Sequence, residues 1–554
     1  MKRLFEYFFV VLAAWGCFFP VARAVAQDWQ VYPYIPAGST IQFPRDEGSH
    51  PGSKTEWWYL NMHLEEKNSG RRLAAMVTYF NNQIKLLNLT DETTGEFLPN
   101  SCLGRLVSGT GFLHLTHTAV GNPTPDRFFT LQTGRRLEPF RYFLDAGTEK
   151  IRLHLFLTAT KPPLLIAGDG YLPVGSSGTT YYYSLPLLSV FGEWTENGTT
   201  DSVSGIGWMD HQWGNFFVTP TSKEAYEWFS VQLEDNRQLV FWDIFTARNR
   251  IPHDKAHKMC TLSFADGSQD TSLSFSIQRL SFWKSPRWGL TFSHQWRFRD
   301  PKHHIDLFLH PDVDDQVADV LGTMPFYEGS CSVSGIWNGD SVKGVGFAEL
   351  LHRYQAPKVH FDWPPQGDFP TGKFRISWQI ENPDDGRPLF FDLFLINDST
   401  RTAYRLAHHW KDTSFVFDNH RFPVGLRYRI KLVAYSSDSS LTNQTVSPDF
   451  ALFPVSKGAV AVLAPYPNPF SRNVSVAVYV RGHSASKQEA LSFKIFNVLG
   501  RLVWEDRVSI FPNELATFHW LGTTSDGTPL APGIYFLTIR VAGQTVRKKL
   551  VKLP

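Results

Sequence analysis

Short alternating and aromatic-rich runs, broken by glycine, proline, asparagine and aspartate, make up most of this 554-residue chain. Residues 74–80, 229–233 and 239–242 are examples. Segments of this kind are typical of β-strands, whereas the three- and four-residue apolar spacing of long helices is almost absent. Aromatic residues make up 15% of the chain, which favours large β-rich interiors. We therefore expect an all-β protein.

The composition excludes several classes of function. With 54 basic and 52 acidic residues the net charge is +2, which provides no electrostatic footprint for nucleic acid. Four cysteines without a CxxC pair exclude a disulfide scaffold, a zinc ribbon and thioredoxin-like chemistry. His114 and His117 fall on opposite faces of a predicted strand. We expect neither a metal site nor a cofactor.

Residues 1–26 have the layout of a secretory signal peptide. Basic residues at positions 2 and 3 precede an apolar run, and small residues follow at A-x-A spacing. We expect cleavage after Ala26, with Ala24 as the alternative. Glu6 shortens the apolar run below the roughly 20 residues that span a bilayer. No second apolar run of that length occurs, so we expect no transmembrane segment in the mature chain.

Turn signals divide the rest of the chain into three regions. The most unusual motifs lie before about residue 355. A proline-rich break at 363–365 leads into strand-like segments that predict a small β-sandwich over residues 358–456. The last region, residues 464–554, predicts a second sandwich of seven short strands.

The C-terminal region carries an ordered set of motifs, YPNPF at 466–470, FKIFNVLGR at 493–501, GTPLAPGIYF at 527–536 and KKLVK at 548–552. This pattern resembles the type A C-terminal sorting domain of the type IX secretion system. The resemblance implies a Gram-negative bacterium, export to the cell surface or beyond, and the secretion machinery as a partner. An ordinary Ig-like domain is the alternative.

The preceding sandwich resembles a fibronectin III or related Ig-like module. Such modules are usually spacers. The sequence therefore indicates that any chemistry lies in the first 350 residues.

Two clusters in that first region place charged residues among tryptophans. Residues 43–51 are followed by EWWY at 56–59, and GWMDHQWG occupies residues 207–214. Charged groups in apolar surroundings are costly unless they are paired. These clusters are therefore the candidate functional sites.

Alternation along a strand divides the polar residues of the second cluster between two faces. Asp210 and Gln212 share one face, whereas His211 and Trp213 share the other. Phe241 and Asp243 likewise share a face. Such placements can surround one apolar cavity with an acid, an imidazole and an aromatic wall.

The clusters resemble the carotenoid 1,2-hydratase family and its AttH-like relatives, from residue 43 to about residue 354. The resemblance implies two tandem lipocalin-like barrels, which we place at residues 28–200 and 201–355. The hydratases add water to a terminal isoprenoid double bond without a redox cofactor. An acid held protonated by an apolar setting donates the proton, aromatic faces stabilise the cation, and water captures it.

In those enzymes an HxW pair and a YxD pair are implicated. His211 and Trp213 match the first pair, and Asp243 matches the second with Phe241 in place of tyrosine. The resemblance thus implies Asp243 as proton donor, His211 as the group that orients the acid or water, and Trp213 as the wall facing the cation. Asp210 is either a further catalytic residue or a carboxylate that locks a barrel corner.

We expect His211, Trp213 and Asp243 to converge on one cavity. The candidate ligand-binding residues are Trp57, Trp58, Tyr59, Glu56, Phe241 and Trp242. For the two tryptophans of the EWWY motif a place in the core is the alternative. For Glu56 the alternative is a salt bridge with Arg45 or another nearby arginine.

Three functions are compatible with the sequence. The first is an exported enzyme without a redox cofactor that acts on an apolar substrate of isoprenoid or lipid-like type. The second is an exported binding protein for such a ligand. The third is a surface protein whose barrels are only a scaffold.

Overall fold

The computed structural model describes residues 28–122, 124–216, 224–363, 369–370, 372–382, 386–423, 427–453, 460–462, 465, 467–480, 488–511, 515–541 and 543–554. The predicted signal peptide lies outside the described residues. Nearly all regular structure is β-strand, with three-residue 3-10 turns such as Arg45–Glu47 and Ile166–Gly168. The predicted all-β class is confirmed. Among these residues no helix has the length and apolarity to cross a membrane.

The first sheet contains thirteen strands: β1 (Thr55–Glu66), β2 (Arg72–Phe80), β3 (Ile84–Asp91), β4 (Glu96–Leu98), β5 (Ser101–Ser108), β6 (His114–Ala119), β7 (Asp126–Thr133), β8 (Arg136–Gly147), β9 (Ile151–Ala159), β10 (Leu164–Leu165), β11 (Tyr171–Val174), β12 (Gly178–Glu196) and β13 (Thr199–Asn215). The pairing order is β12-β13-β1-β2-β3-β5-β6-β7-β8-β9, and β9 also pairs with β12. These ten strands therefore close a barrel.

The second sheet contains ten strands: β14 (Ala225–Leu233), β15 (Gln238–Phe245), β16 (Lys258–Ser263), β17 (Gln269–Ser272), β18 (Ser276–Lys284), β19 (Thr291–Asp300), β20 (Ile305–Pro311), β21 (Val317–Val320), β22 (Met324–Trp337) and β23 (Asp340–Leu350). The order is β17-β16-β15-β14-β23-β22-β20-β19-β18, with β21 on β22. No pairing between β17 and β18 is present in the described part of the chain, so this sheet is a half-barrel.

The first sheet extends further along the chain than the predicted boundary at residue 200. β13 pairs with β12 on one side and with β1 on the other. Asn197 and Gly198, both with positive φ, form the tight turn between β12 and β13. An Asn-Gly turn of this kind joins adjacent antiparallel strands. The GWMDHQWG cluster therefore belongs to the first barrel rather than the second.

Strands β1 and β13 are buried on both faces. Trp58, Leu60 and Met209 belong to the core inside the barrel. Tyr59 and Trp208 belong to a different core, which the barrel shares with the outer face of the half-barrel. This shared layer, called the seam here, joins the two sheets.

Two sandwiches follow. The middle one has strands β24 (Val359–Trp363), β25 (Phe369–Pro370), β26 (Lys373–Ile380), β27 (Leu389–Asn397), β28 (Thr402–Trp410), β29 (Ser414–Asp418), β30 (Arg427–Ser436), β31 (Thr442–Val446) and β32 (Phe450–Phe453). Its sheets are β24-β26-β29 and β25-β32-β30-β27-β28, with β31 on β30.

The last sandwich has strands β33 (Val460–Val462), β34 (Val474–Val480), β35 (Glu489–Asn497), β36 (Leu502–Ile510), β37 (Leu515–Trp520), β38 (Gly533–Val541) and β39 (Gln544–Lys552). Its sheets are β33-β34-β37 and β36-β35-β38-β39. These described strands number seven, as the turn signals predict.

The close approach of β13 to β1 yields a stability prediction. A Cβ added at Gly205 would lie 1.9 Å from the backbone oxygen of His63. Gly205→Ala should therefore force the strands apart and lower the free energy of unfolding by about 3 kcal/mol, as overpacking of a core does. Chemical denaturation of the variant measures this. Ser204→Ala, at the exposed neighbouring position, is the control. Equal stability of the two variants would contradict the tight contact.

Candidate functional site

A cavity of about 460 Å³ lies in the seam between the barrel and the half-barrel. Strands β1, β2, β3 and β13 supply one wall, and β14, β15, β22 and β23 supply the other. The lining is largely aromatic and aliphatic: Trp57, Met76, Phe80, Leu86, Trp228, Trp242, Ile244 and Phe326. The cavity has the size and the apolar walls of a small-molecule site.

Strand alternation decides which motif residues reach this cavity. Trp57 and Tyr59 of β1 line it, and so do Asp210 and Gln212 of β13. Trp242 lines it from β15 in the opposite sheet. The predicted common face of Asp210 and Gln212 is thus present, and it faces the seam.

Two glutamates from the half-barrel point into the same cavity. Glu328 on β22 and Glu349 on β23 are directly paired across the ladder. Glu328 is fully buried, and Glu349 is partly buried. Tyr59 Oη donates a hydrogen bond of 2.8 Å to Glu328 Oε1, and Tyr226 Oη donates to Glu349 Oε1. Among the described residues the second oxygen of Glu328, Oε2, is buried without a hydrogen-bond partner.

This environment favours the protonated form of the glutamate pair. Burial raises the pKa of both carboxyls, although the hydrogen bonds from Tyr59 and Tyr226 lower it. The charge of Glu349 raises the pKa of Glu328 further, and the charge of Asp210 does the same for Glu349. Two neighbouring carboxyls with little access to water cannot both ionise readily. Burial and the neighbouring charge therefore both favour a proton on the pair.

Asp210 is a third carboxyl in the cavity wall, but both of its oxygens are engaged. Oδ1 accepts from Ser184 Oγ at 2.5 Å and from Trp208 Nε1 at 2.6 Å, and Oδ2 accepts from Tyr182 Oη at 2.6 Å. Burial raises the pKa of Asp210 to about 6 in spite of these donors. Tyr182 also accepts from Trp228 Nε1 at 3.1 Å. Asp210 thus fixes a tyrosine that crosses the seam.

His211 and Trp213 lie inside the first barrel. His211 Nε2 is 3.1 Å from Glu56 Oε1, and its Nδ1 is 3.0 Å from the backbone oxygen of Asp46. Trp58 stacks on the His211 ring at 4.7 Å, and Trp213 packs against it at 4.8 Å. Four candidate residues, Glu56, Trp58, His211 and Trp213, are therefore together, but away from the seam cavity.

Glu56 does not pair with Arg45. Its carboxylate contacts His50 Nδ1 at 2.8 Å as well as His211, whereas Arg45 donates to Asp46 at 2.6 Å. The two side chains are apart because Glu56 points into the barrel, whereas the Arg45 side chain is more than half exposed.

Asp243 and Phe241 lie inside the half-barrel. Asp243 Oδ1 accepts from Lys258 Nζ at 2.8 Å, and Oδ2 accepts from Arg279 Nη2 at 2.9 Å. Phe241 stacks on Phe229 in the same core at 5.0 Å. Since His211 and Asp243 occupy the interiors of different sheets, the expected convergence of His211, Trp213 and Asp243 on one cavity is not found.

Two parts of the chain match known families. Residues 34–354, more than half of the chain, match the AttH-like family.

The chain belongs to the AttH-like family.

Residues 464–553 match the secretion system C-terminal sorting domain. Similar solved structures include the following three. A protein described as AttH from Nitrosomonas europaea is 23% identical, over 58% of this chain and 99% of that one, with a TM-score of 0.47. Kievitone hydratase from Nectria haematococca is 18% identical, over 58% and 98%, with a TM-score of 0.46.

The third is a two-domain fibronectin type III segment of chicken tenascin, 13% identical, over 36% of this chain and 100% of that one, with a TM-score of 0.14. No curated protein matches the AttH-like chain.

The two glutamates of the AttH-like cavity are absent from the residues predicted from sequence. A local signal exists, because each interrupts an apolar strand, Glu328 after Phe326 and Tyr327, and Glu349 between Ala348 and Leu350. An acid at such a position is costly unless it is protonated or paired. Only the pairing of β22 with β23 shows that the two acids are neighbours.

The ion cluster of the half-barrel predicts a structural role for Asp243. Asp243→Asn should lower the free energy of unfolding by about 3 kcal/mol, since it removes the counter-charge of the buried Lys258 and one of the two carboxylates that Arg279 contacts. Urea denaturation measures the loss. Asp306→Asn is the matched control, because Asp306 also pairs with two arginines but on the solvent side, where such pairs contribute about 0–1 kcal/mol. A loss at Asp243 no larger than at Asp306 would refute this role.

Proposed function

We propose that this AttH-like protein is an exported hydro-lyase without a redox cofactor, which adds water to, or removes water from, an apolar isoprenoid or lipid-like substrate in the seam cavity. The observation that carries the proposal is the Glu328–Glu349 pair inside an aromatic cavity, where burial raises the pKa of both carboxyls. An acid in an apolar site is the group that alkene protonation requires.

Glu328 is the proton donor in this proposal, because its Oε2 is the buried carboxyl oxygen without a partner among the described residues. The substrate double bond takes the proton from Oε2, which forms a C–H bond and leaves a carbocation and a carboxylate. Water adds to the cation, and its surplus proton returns to the carboxylate. The reverse sequence removes water.

The cavity walls support both steps. Trp57, Trp228 and Trp242 offer aromatic faces that stabilise a cation. Tyr59 and Tyr226 hold the two carboxyls in place by hydrogen bonds. Asp243 is not assigned as the acid here, because its oxygens are engaged by two cations in another interior.

A carrier of an apolar ligand is the second candidate. It is favoured by Asp210, whose oxygens accept three hydrogen bonds and leave a mostly apolar wall. Lipid extraction of the purified protein followed by mass spectrometry would identify the occupant of the cavity. Its conversion by the protein, or its unchanged recovery, distinguishes enzyme from carrier.

The match to the C-terminal sorting domain supports an export route for the protein. A secretion system C-terminal sorting domain implies export through the type IX pathway to the cell surface or beyond. We propose that residues 1–26 direct the first membrane crossing in a Gram-negative cell and that the sorting domain directs the second.

The acid assignment predicts the effect of Glu328→Gln on the identified substrate. Glutamine preserves the size and the contact with Tyr59 but carries no acidic proton, so turnover should fall by roughly 10²–10⁴-fold. Ligand affinity should change little, because apolar area dominates it. Wild-type kcat should decline as the pH rises through the raised pKa of the pair, since only the protonated pair donates.

Asp312→Asn is the matched control for that experiment. Burial also raises the pKa of Asp312, which belongs to the same half-barrel but does not line the cavity. Its turnover should equal that of the wild type. Full turnover by Glu328→Gln would remove Glu328 as the acid.

The sorting domain predicts a localisation phenotype. A chain that ends at residue 463 should fold, because the last sandwich has its own core around Val476, Ile495 and Leu537. It should stay in the periplasm, because it lacks the sorting domain. Cell fractionation and circular dichroism measure location and folding. Normal delivery of the truncated chain to the surface would contradict the route.

A further inference from the structure

We propose that His50, Glu56 and His211 form a binding site for a divalent transition-metal ion inside the first barrel. The site is separate from the seam cavity, and the acid–base step proposed there does not use it. The inference therefore goes beyond the proposed function.

The ligand atoms have the spacing that a metal requires. Glu56 Oε1 lies 2.8 Å from His50 Nδ1 and 3.1 Å from His211 Nε2, and one ligand atom from each residue lies within 4.8 Å of the others. A tetrahedral ion with bonds of about 2.0–2.1 Å separates its ligand atoms by roughly 3.3 Å. The two contacts of Glu56 Oε1 widen by a few tenths of an ångström to reach this spacing, and the two ring nitrogens already lie within 4.8 Å of each other.

The two neutral histidines have fewer N–H protons than the cluster has nitrogen–oxygen contacts. His211 Nδ1 is 3.0 Å from the Asp46 backbone oxygen, and His50 Nε2 is 3.3 Å from Asp46 Oδ1. All four ring nitrogens thus face oxygen acceptors, but a neutral imidazole carries one N–H. If the outer nitrogens donate to Asp46, two lone pairs remain directed at Glu56 Oε1. One cation at the centre satisfies all three ligand atoms.

The surroundings match the outer shell of known metal centres. Metal-binding histidines usually donate their other N–H to a carboxylate or a backbone carbonyl, and Asp46 provides one of each. The Asp46 carboxylate itself accepts hydrogen bonds from Arg45 Nε at 2.6 Å and from the Gln42 backbone N–H at 2.8 Å. Both histidines are thus oriented in advance.

Ligand type and access define the ion. Two imidazoles and one carboxylate suit zinc and its neighbours better than calcium or magnesium. His211 and Glu56 are buried, whereas the His50 side chain is 21% exposed and provides a way in. Three protein ligands leave a position for water or another small ligand.

The test is a titration of the tag-free wild-type protein with Zn²⁺ by calorimetry, and with Co²⁺ by visible absorption. We expect one ion per chain and a Co²⁺ spectrum typical of low coordination number. His50→Gln should weaken binding by at least about 100-fold, since loss of an orienting partner alone costs roughly 10- to 100-fold. Asp46→Asn, which alters only an orienting partner, should fall in that smaller range.

His63→Gln is the matched control, because His63 also contacts a glutamate, Glu92, at 3.2 Å, but in the described part of the chain this pair belongs to no group of three metal-binding side chains. It should bind Zn²⁺ like the wild type. Wild-type protein that binds no stoichiometric ion overturns the proposal and makes the cluster a pair of imidazolium–carboxylate contacts. Unweakened binding by a folded His50→Gln variant also overturns it. If a variant fails to fold, the wild-type titration and spectrum still decide. These readouts do not depend on turnover, so the fate of the seam acid does not affect them.

Discussion

Burial of both faces of the strands at the seam is the constraint on which the rest of the structure depends. One face of β1 and β13 fills the barrel, and the other packs on the half-barrel. Since both faces are buried, most polar groups there bond to other protein groups. Hydrogen bonds cross the seam from Tyr59 to Glu328, from Trp228 to Tyr182 and from Asn61 to Ser230. These bonds fix the two sheets around the cavity.

The same constraint produces two electrostatic environments from similar residues. Inside the half-barrel, Arg279 contacts Glu227 and Asp243, so burial costs are offset by opposite charge. In the seam, the Glu328 and Glu349 carboxyls accept from tyrosines and face another acid, so burial and like charge raise their pKa values. The surroundings, rather than the residue type, decide whether a buried carboxyl is structural or available for proton transfer.

Part of this architecture was predictable from the sequence. The aromatic strand-length runs predict the β class, the turn signals predict the seven described strands of the last sandwich, and the ordered C-terminal motifs predict the sorting domain. The predicted boundary at residue 200 falls inside the first sheet, because the Asn197–Gly198 turn joins β12 to β13 as a hairpin. That boundary assigns the GWMDHQWG cluster to the second barrel, whereas the strand pairing assigns it to the first.

Sequence alone predicts which residues share a face, since side-chain direction alternates along every strand whatever the partner. This alternation separates Asp210 from His211 and joins Phe241 to Asp243. What each face packs against depends on the fold. Tyr59 and Glu328 are 269 positions apart, and His211 and Glu56 are 155 apart. Strand pairing and sheet packing bring such residues together, because burial of the combined apolar surface of two sheets favours one arrangement of distant segments, and no local pattern records it.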